Sequence, residues 1–263
     1  MRINKSTPRT IDIIKLLAER GEPLTLTEIS TALKIPKTST FDIITTLMDR
    51  NILEYENRQF KTIQLGLGLF EVTLLALGKR DLHRVARPYL DQILESTGET
   101  VYLAVENNGE VVYLERAEGS AAVRYSAELG ARLPMYCTGL GKAILAAHPD
   151  EKVREILAGI RMHSFTPQTI TNLMDLQEEL TATRLRGYAI DNQEVTEGIF
   201  CVAAPIYGAS DKPVAAISIA SGTSMLQGGK MEKLGSLIAE KALNISRKLG
   251  FSKIGLFGQQ TAG

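Results

Sequence analysis

Apolar residues in the N-terminal part of the chain recur at helical spacing and are interrupted by short polar turns. Ile11, Ile14 and Leu17 lie on one face of a helix predicted over 8–20. The segment Gly21–Pro23 ends this pattern, because glycine and proline both disfavour continuation of a helix. The first predicted element is therefore an amphipathic helix that buries one face.

Two shorter helical segments follow and are separated by a tight turn. The first is predicted over 27–33 with Thr27 as its N-cap, and the second starts after Pro36 and runs to about Arg50. The apolar core face predicted for the second helix consists of Phe41, Ile44, Leu47 and Met48. Two short helices joined in this way are typical of a helix-turn-helix, whose second helix enters the DNA major groove.

A predicted β-hairpin comes next. The strand-like segments Ile52–Tyr55 and Phe60–Ile63 flank the polar turn Glu56–Gln59, so the region is predicted to be a winged helix-turn-helix. The candidate DNA contacts begin the third helix or lie in the wing, and they are Lys37, Thr38, Ser39, Thr40, Arg58 and Lys61. A winged helix that contacts protein instead of DNA is an alternative at this point.

Helical spacing returns after the hairpin. Two helices are predicted over 66–78 and 81–96, and Gly78 and Pro88 interrupt the apolar pattern. A single recognition helix reads only a few base pairs, so we expect the protein to bind a double-stranded operator as a homodimer or homotetramer.

From Glu99 onward the pattern changes to strands mixed with helices. Val101–Val105 and Val111–Leu114 flank Asn107–Gly109, which is a hairpin turn signal. Further strands are predicted at 123–126, 188–190, 200–206 and 214–220, and helices at 139–147, 150–158, 173–186 and 230–249. This mixture predicts an α+β fold in which helices pack on an antiparallel sheet.

The charge and composition exclude several classes of protein. Net charge is zero, but residues 1–87 hold 14 Lys and Arg against 10 Asp and Glu, an excess whose sign suits DNA. No apolar run is long enough to span a membrane and no signal peptide is recognisable, so we expect a cytoplasmic protein. The two cysteines, Cys137 and Cys201, suit a reducing compartment.

Patterns for catalysis and metal binding are missing from the sequence. His83, His148 and His163 do not stand at metal-ligand spacing with one another or with a cysteine, and no Gly-x-Ser-x-Gly motif occurs. We therefore expect no metal, no cofactor and no enzymatic activity.

The segment Cys137–Lys142 places glycines at the start of a predicted helix, just after a strand. Helix N-termini favour anions, and Gly139 and Gly141 are predicted to let a ligand approach the backbone. A nucleotide-binding P-loop does not fit, because Tyr136 and Ala143 stand where it needs glycine and Ser or Thr. A small carboxylate bound at the Thr138–Leu140 backbone is the better prediction.

The rest of the predicted pocket is apolar with two polar groups. Its apolar wall consists of Met135, Leu140, Ile199 and Ile217. Asp191 and Ser218 are predicted to pair with hydroxyl or carbonyl groups of the ligand, which favours a sugar acid or a keto acid.

Four motifs in this order resemble the IclR family of bacterial transcriptional regulators. They are Leu26–Ser30 with Leu33–Thr40, Phe60–Gly66, Leu133–Ala146, and Arg186–Glu194 with Gly198–Ile206. The resemblance implies a GAF-like C-terminal domain and a linker helix that helps to pair two subunits. The expected division is a DNA-binding domain over 1–65, linker helices over 66–97, an effector domain over 98–250 and a tail over 251–263.

The resemblance also implies an effector site. The matching positions are Gly139, Leu140, Asp191, Cys201 and Ser218. Ala220 stands where a second serine often occurs, and Phe41–Ile43 departs from the basic and small polar residues common in the recognition helix. We expect a transcriptional repressor controlled by a small carboxylic acid. The alternatives are a redox-responsive regulator using Cys137 and Cys201, or a GAF-type enzyme with an accessory winged helix.

Overall fold

The computed structural model describes residues 6–78, 81–119, 127–253 and 255–258, with only the backbone of residues 73–78 and 81. The chain separates into two compact units, Met1–Arg80 and Asp81–Gly263. The strand predicted at 123–126 lies outside the described residues.

The N-terminal unit is a winged helix-turn-helix, as predicted. Its elements are helices α1 (Ser6–Arg20), α2 (Leu26–Leu33), α3 (Lys37–Asp49) and α4 (Leu67–Gly78), and strands β1 (Leu24–Thr25), β2 (Leu53–Asn57) and β3 (Thr62–Leu65). Among the described residues the strands form an antiparallel sheet in the order β1-β3-β2. Strand β1 was not predicted, because two residues are too few to show an alternating pattern.

Local hydrogen bonds fix the helix-turn-helix. Thr25, rather than the predicted Thr27, caps α2: its Oγ1 accepts from the Glu28 N–H at 3.3 Å, and Glu28 Oε2 accepts from the Thr25 N–H at 2.7 Å. This is a reciprocal capping box. In the turn to α3, Lys34 takes a left-handed conformation and Ser30 Oγ donates to the Ile35 carbonyl at 2.7 Å.

Helix α3 buries Ile44 and Leu47 of the predicted core face, but Thr40 rather than Phe41 completes it. Thr40, Ile44 and Leu47 are its buried residues, whereas Phe41 is 56% exposed. Residues 40, 44 and 47 follow the three- and four-residue spacing of one helical face, and position 41 is turned about 100° away from that face. The prediction of Phe41 as a core residue is therefore wrong.

The C-terminal unit is an antiparallel sheet with helices on both faces, which confirms the α+β prediction. Its strands are β4 (Thr100–Asn107), β5 (Glu110–Ala117), β6 (Arg132–Pro134), β7 (Ala189–Asn192), β8 (Phe200–Tyr207) and β9 (Pro213–Ser221). Its helices are α5 (Asp81–Thr97), α6 (Gly139–Ala146), α7 (Asp150–Leu157), α8 (Leu173–Arg186) and α9 (Lys230–Lys248). Among the described residues the strand order is β6-β5-β4-β9-β8-β7. Helix α5 continues through Pro88, in agreement with the helix predicted over 81–96.

Alternate residues along each strand separate the two faces of the sheet. Cys201 and Ala203 of β8 pack in one cluster with α6, whereas Val202 packs in the other cluster with α5 and α9. Ile217 belongs to this second cluster, so it cannot line a pocket beside α6. The prediction that Ile217 lines the pocket is therefore wrong, because Ile217 is on the opposite face of the sheet from its neighbour Ser218.

Helix α6 is enclosed so tightly that it requires glycine. All eight of its residues are buried. A Cβ atom at Gly141 would lie 2.3 Å from the Cα and the carbonyl oxygen of Met135, whereas one at Gly139 would lie 3.4 Å from the Cβ atoms of Cys201 and Ala203. Gly141 therefore leaves room for the Met135 backbone, although the sequence had suggested room for a ligand at both glycines. Gly139 leaves a space that a Cβ could occupy at ordinary van der Waals distance.

We expect Gly141→Ala to destabilise the C-terminal unit by about 1–3 kcal/mol or more, because the Met135 backbone must move. Gly139→Ala is the matched control and should change the free energy of unfolding by less than about 1 kcal/mol, since its Cβ meets ordinary van der Waals contacts. Urea denaturation measures both values. Equal losses in the two variants would contradict this account of the packing.

Candidate functional site

The N-terminus of α6 lies against the sheet beside predicted site residues. Thr138 is the N-cap, and its Oγ1 accepts from the Gly141 N–H at 3.0 Å. A Cβ atom at Gly139 would be 3.4 Å from that of Cys201 and 3.6 Å from that of Asp191. The structure thus brings the two distant motifs of the sequence together.

Strand register gathers the remaining polar candidates on the same face. Asp191 pairs with Cys201, and Ser218 pairs with Ala203, which lies two residues from Cys201 on β8. Residues two apart on a strand share a face, so Ser218 lies on the side of the sheet that packs against α6. The apolar candidates that belong to this cluster are Met135, Leu140 and Ile199.

Ser218 is a polar residue beside the largely apolar cluster that packs against α6, and it is 2% exposed. Its hydroxyl is not among the buried side-chain atoms that lack a hydrogen-bond partner in the described part of the chain, which are Glu99 Oε2 and Glu194 Oε2.

Asp191 is a buried carboxyl group with one fixed hydrogen bond. It is 5% exposed, and its Oδ1 accepts from the Glu194 N–H at 2.8 Å. Burial raises the pKa of Asp191 to about 7, although Lys142 and the hydrogen bond from Glu194 oppose the rise. Near neutral pH this group exchanges between a hydrogen-bond donor and an acceptor.

The sequence analysis missed a buried ion pair beside this site. Lys142 Nζ donates to Glu194 Oε1, and both side chains are almost completely buried. Glu194 Oε2 has no hydrogen-bond partner among the described residues, and burial raises the pKa of Glu194. A lysine inside a helix ordinarily faces solvent, so only its position in a glycine-rich, otherwise apolar helix indicated that Lys142 is buried.

Both thiols are buried, which disfavours a redox role. Cys137 and Cys201 are free cysteines that are 0% and 9% exposed. Burial raises the pKa of both thiols above the ordinary value. Because the thiolate is the reactive form, neither residue has the properties of a redox sensor.

The predicted DNA contacts are only partly presented to solvent. Lys37 and Thr38 are exposed at the start of α3, and Ser39 is half-buried. Thr40 is fully buried, and its Oγ1 donates to the Pro36 carbonyl at 3.1 Å, so it stabilises the helix rather than reaching DNA. The prediction of Thr40 as a DNA contact is therefore not supported.

The wing presents its basic residues at the turn between β2 and β3. Arg58 and Lys61 are both exposed there. Asn57 Oδ1 accepts from the N–H groups of Gln59 and Phe60 at 2.9 and 3.1 Å, which holds the turn in shape. The wing therefore presents two basic side chains to solvent beside a turn that is held by side-chain hydrogen bonds.

Both units match profiles of one protein family. Residues 74–247 match "Bacterial transcriptional regulator IclR C-terminal", and residues 6–57 match "IclR helix-turn-helix domain". The chain belongs to the IclR family. It is a DNA-binding transcriptional regulator, and its relatives are regulators rather than enzymes.

Curated relatives and solved structures agree with this assignment. The HTH-type transcriptional repressor AllR of Klebsiella pneumoniae is 34% identical over 242 residues, which cover 92% of this chain and 89% of that protein. AllR of Escherichia coli K12 is 33% identical with the same coverage. The crystal structure of Thermotoga maritima IclR has a TM-score of 0.79 and 30% identity, covering 94% of this chain and 99% of that one.

One solved relative contains a ligand. An IclR homologue from Microbacterium hydrocarbonoxydans, crystallised with 4-hydroxybenzoate, has a TM-score of 0.81 and 24% identity, covering 93% of this chain and 99% of that one. At this identity the similarity establishes a common fold.

Two further properties of this IclR-family chain concern its described residues only. They contain no group of three or more His, Cys, Asp and Glu side chains that would hold a metal ion. Within the same ranges, no helix combines the length and the apolar character that a membrane crossing needs.

The raised pKa of Asp191 predicts a pH-dependent stability. Because the folded protein keeps this proton to a higher pH than the unfolded chain, stability falls as pH rises from about 4 to about 7. Asp191→Asn cannot ionise, so its melting temperature minus that of the wild type should increase between about pH 5 and about pH 8. Thermal unfolding across that range measures the difference.

Glu151→Gln is the control, because Glu151 is an exposed carboxylate on α7. Its difference from the wild type should stay nearly constant with pH. A difference for Asp191→Asn that is flat or decreases with rising pH would show that Asp191 is ionised in the folded protein throughout this range.

Proposed function

We propose that this protein is a transcriptional repressor whose DNA binding is controlled by a small carboxylic acid in the C-terminal unit. The AllR relatives, at 33–34% identity, are named as repressors. The homologue crystallised with 4-hydroxybenzoate shows a carboxylic acid as ligand on the same fold. A sugar acid or a keto acid fits the present site, for the reasons that follow.

The observation that carries the proposal is the position of the α6 N-terminus. Its first residue, Gly139, lies beside Cys201 and Asp191, and Ser218 lies on the same face of the sheet, next to a largely apolar cluster. The N–H groups of Gly139 and Leu140 have no acceptor among the described residues, whereas that of Gly141 is capped by Thr138. Free N–H groups and the helix dipole together favour an anion.

The charged side chains nearby are not expected to bind the ligand carboxylate, so the helix N-terminus is the group that attracts it. Lys142 is committed to Glu194, so its ammonium group is not available for a ligand carboxylate. Asp191 can approach an anion only when it is protonated, and its pKa of about 7 permits this near neutral pH. In that form it donates a hydrogen bond to a ligand oxygen, while the Ser218 hydroxyl pairs with a second polar group.

The N-terminal unit binds the operator in this proposal. We assign Lys37, Arg58 and Lys61 to phosphates, and Thr38 and Ser39 to base edges or to the sugar-phosphate backbone. In this division, residues 1–65 form the DNA-binding domain and residues 98–250 form the effector domain. Residues 66–97 link the two domains, and residues 251–263 form a C-terminal tail.

The linker helix α4 supports a role in pairing subunits. Its exposed apolar side chains are Leu67, Phe70 and Val72, which are 71%, 60% and 57% exposed. Leu67 and Phe70 are three residues apart and share one side of the helix, and such exposed apolar side chains favour burial against a second protein surface. Val72 lies on a different side of the helix. We therefore propose a homodimer or a homotetramer that binds a palindromic operator.

The phosphate contacts predict a defined salt dependence. Lys37→Ala and Arg58→Ala should each weaken binding to all duplex sequences to a similar extent and reduce the slope of log K against log salt by about one unit. Fluorescence anisotropy at several salt concentrations measures the slope. Lys152→Ala, on α7 in the other unit, is the control and should leave it unchanged. Unchanged slopes in both test variants would remove these contacts from the proposal.

The effector proposal predicts that carboxylates, and not their amides, bind. We expect at least one member of a panel of keto-acid and sugar-acid salts to raise the melting temperature and to release the protein from DNA, while the matching amide does neither. Ser218→Ala should weaken binding of that acid about tenfold or more, because a hydrogen bond to a charged group is worth roughly 1.5–3 kcal/mol. DNA binding without the acid should be unchanged.

Ser221→Ala is the matched control on the same strand. Ser221 pairs with Phe200, which belongs to the cluster on the opposite face of the sheet, so its loss should leave affinity for the acid unaltered. Equal weakening in both serine variants would point to a general disturbance of β9. Equal binding of acid and amide would contradict the anion site.

A further inference from the structure

The recognition helix α3 carries a large apolar side chain on its outward face. Phe41 is 56% exposed, whereas the inward face is formed by Thr40, Ile44 and Leu47. The exposed positions of the helix are Lys37, Thr38, Phe41, Asp42, Thr45, Thr46 and Asp49. Phe41 is the apolar member of this otherwise polar and charged set.

The spacing places Phe41 in the middle of one stripe. Thr38, Phe41 and Thr45 are three and four residues apart, so their side chains follow one another along the same side of the helix. Phe41 is the fifth residue of α3, and the N-terminal residues of a recognition helix are those that contact base edges. A single exposed apolar residue is ordinary on a protein surface, but this one stands at the reading position.

We propose that Phe41 reads thymine in the operator by packing its ring on the thymine 5-methyl group. The inference rests on the proposed DNA-binding surface and adds a specificity-determining residue to it. In the major groove the 5-methyl of thymine is the apolar feature of the base-pair edges, and phenylalanine is among the side chains that contact it. Phenylalanine has no hydrogen-bonding group, so it cannot read the polar edges of the other bases or bind phosphate.

The residues around Phe41 favour DNA, rather than another protein, as the molecule that binds the outward face of α3. Exposed Lys37 begins the same helix, and exposed Arg58 and Lys61 lie in the wing of the same unit. Basic groups flanking a polar stripe suit a phosphate backbone on either side of a groove. A protein interface centred on one aromatic residue would instead require further apolar neighbours, and the flanking residues Thr38, Asp42 and Thr45 are polar.

The test begins with selection of binding sites from a random pool of duplexes, using the full-length protein. The wild type should select thymine at a defined position of each half-site. Phe41→Ala should lose the preference at that position alone, and Phe41→Leu should keep it, because leucine retains an apolar contact. Phe60→Ala is the matched control, since Phe60 is 67% exposed but lies in the wing turn.

Replacing the selected thymine by deoxyuridine removes only the methyl group. Wild-type affinity should fall about fourfold for each such methyl, the equivalent of about 0.8 kcal/mol for one buried methylene-sized group. The affinity of Phe41→Ala should be the same for both duplexes. Phe60→Ala should respond to deoxyuridine as the wild type does.

Each result decides between the possibilities. Equal sensitivity of wild type and Phe41→Ala to deoxyuridine, or unchanged base preference in Phe41→Ala, would overturn the proposal. If Phe41→Ala is folded by circular dichroism but binds no duplex, Phe41→Leu decides: deoxyuridine sensitivity supports the thymine contact and insensitivity rejects it. If the wild type selects no sequence, the DNA-binding surface itself is wrong, and a protein partner for this face becomes the better explanation.

Discussion

The complete burial of helix α6 is the constraint on which the C-terminal unit depends. A helix can be enclosed on all sides only if its neighbours approach to van der Waals distance, and protein interiors leave few voids. Gly141 permits this by giving the Met135 backbone the space of a side chain. Thr138 closes the first turn by capping the Gly141 N–H. The segment before α6, the helix itself and strands β7 and β8 are therefore held together as one packed layer.

Burial of a helix that contains lysine has an electrostatic consequence. The ammonium group of Lys142 must be paired once it leaves water, and Glu194 supplies the carboxylate. That requirement extends to the segment around Glu194: Thr169 Oγ1 donates to its carbonyl at 2.6 Å, and Thr166 Oγ1 donates to the Gln193 carbonyl at 2.7 Å. Removing one partner of such a pair is far more costly than replacing both with apolar residues, so the two positions constrain each other.

The sequence predicted the elements well because their signals are local. The Asn108-Gly109 turn, with positive φ at both residues, and helix α6 after its N-cap each depend on a few neighbouring residues. The predictions were wrong where contacts between distant parts of the chain determine the position of a residue. The capping role of Thr25 was missed because Thr25 belongs to β1, which pairs with the distant strand β3. Ile217 was assigned to the wrong face although strand alternation with Ser218 excludes that placement.

Distant pairings were beyond any local signal. Lys142 and Glu194 are 52 residues apart in the chain, and nothing in either segment indicates the partner. The grouping of Asp191, Cys201 and Ser218 beside Gly139 was expected from the family resemblance, and the structure explains it by strand register. Their contact with a ligand is a separate matter that packing alone does not determine.

Sensing and DNA reading place opposite demands on the side chains of this protein. Around α6, Asp191 and Lys142 are each tied to Glu194, so a substitution at either position changes packing, charge and hydrogen bonding together. In α3 the buried residues hold the helix, while outward residues such as Phe41 have no role in the core. Exposed substitutions rarely alter stability by more than about 0.5 kcal/mol. Under the proposed assignment of these two sites, the base preference of the outward face of α3 can therefore change at little cost to folding, whereas a change of effector requires several coordinated substitutions around α6.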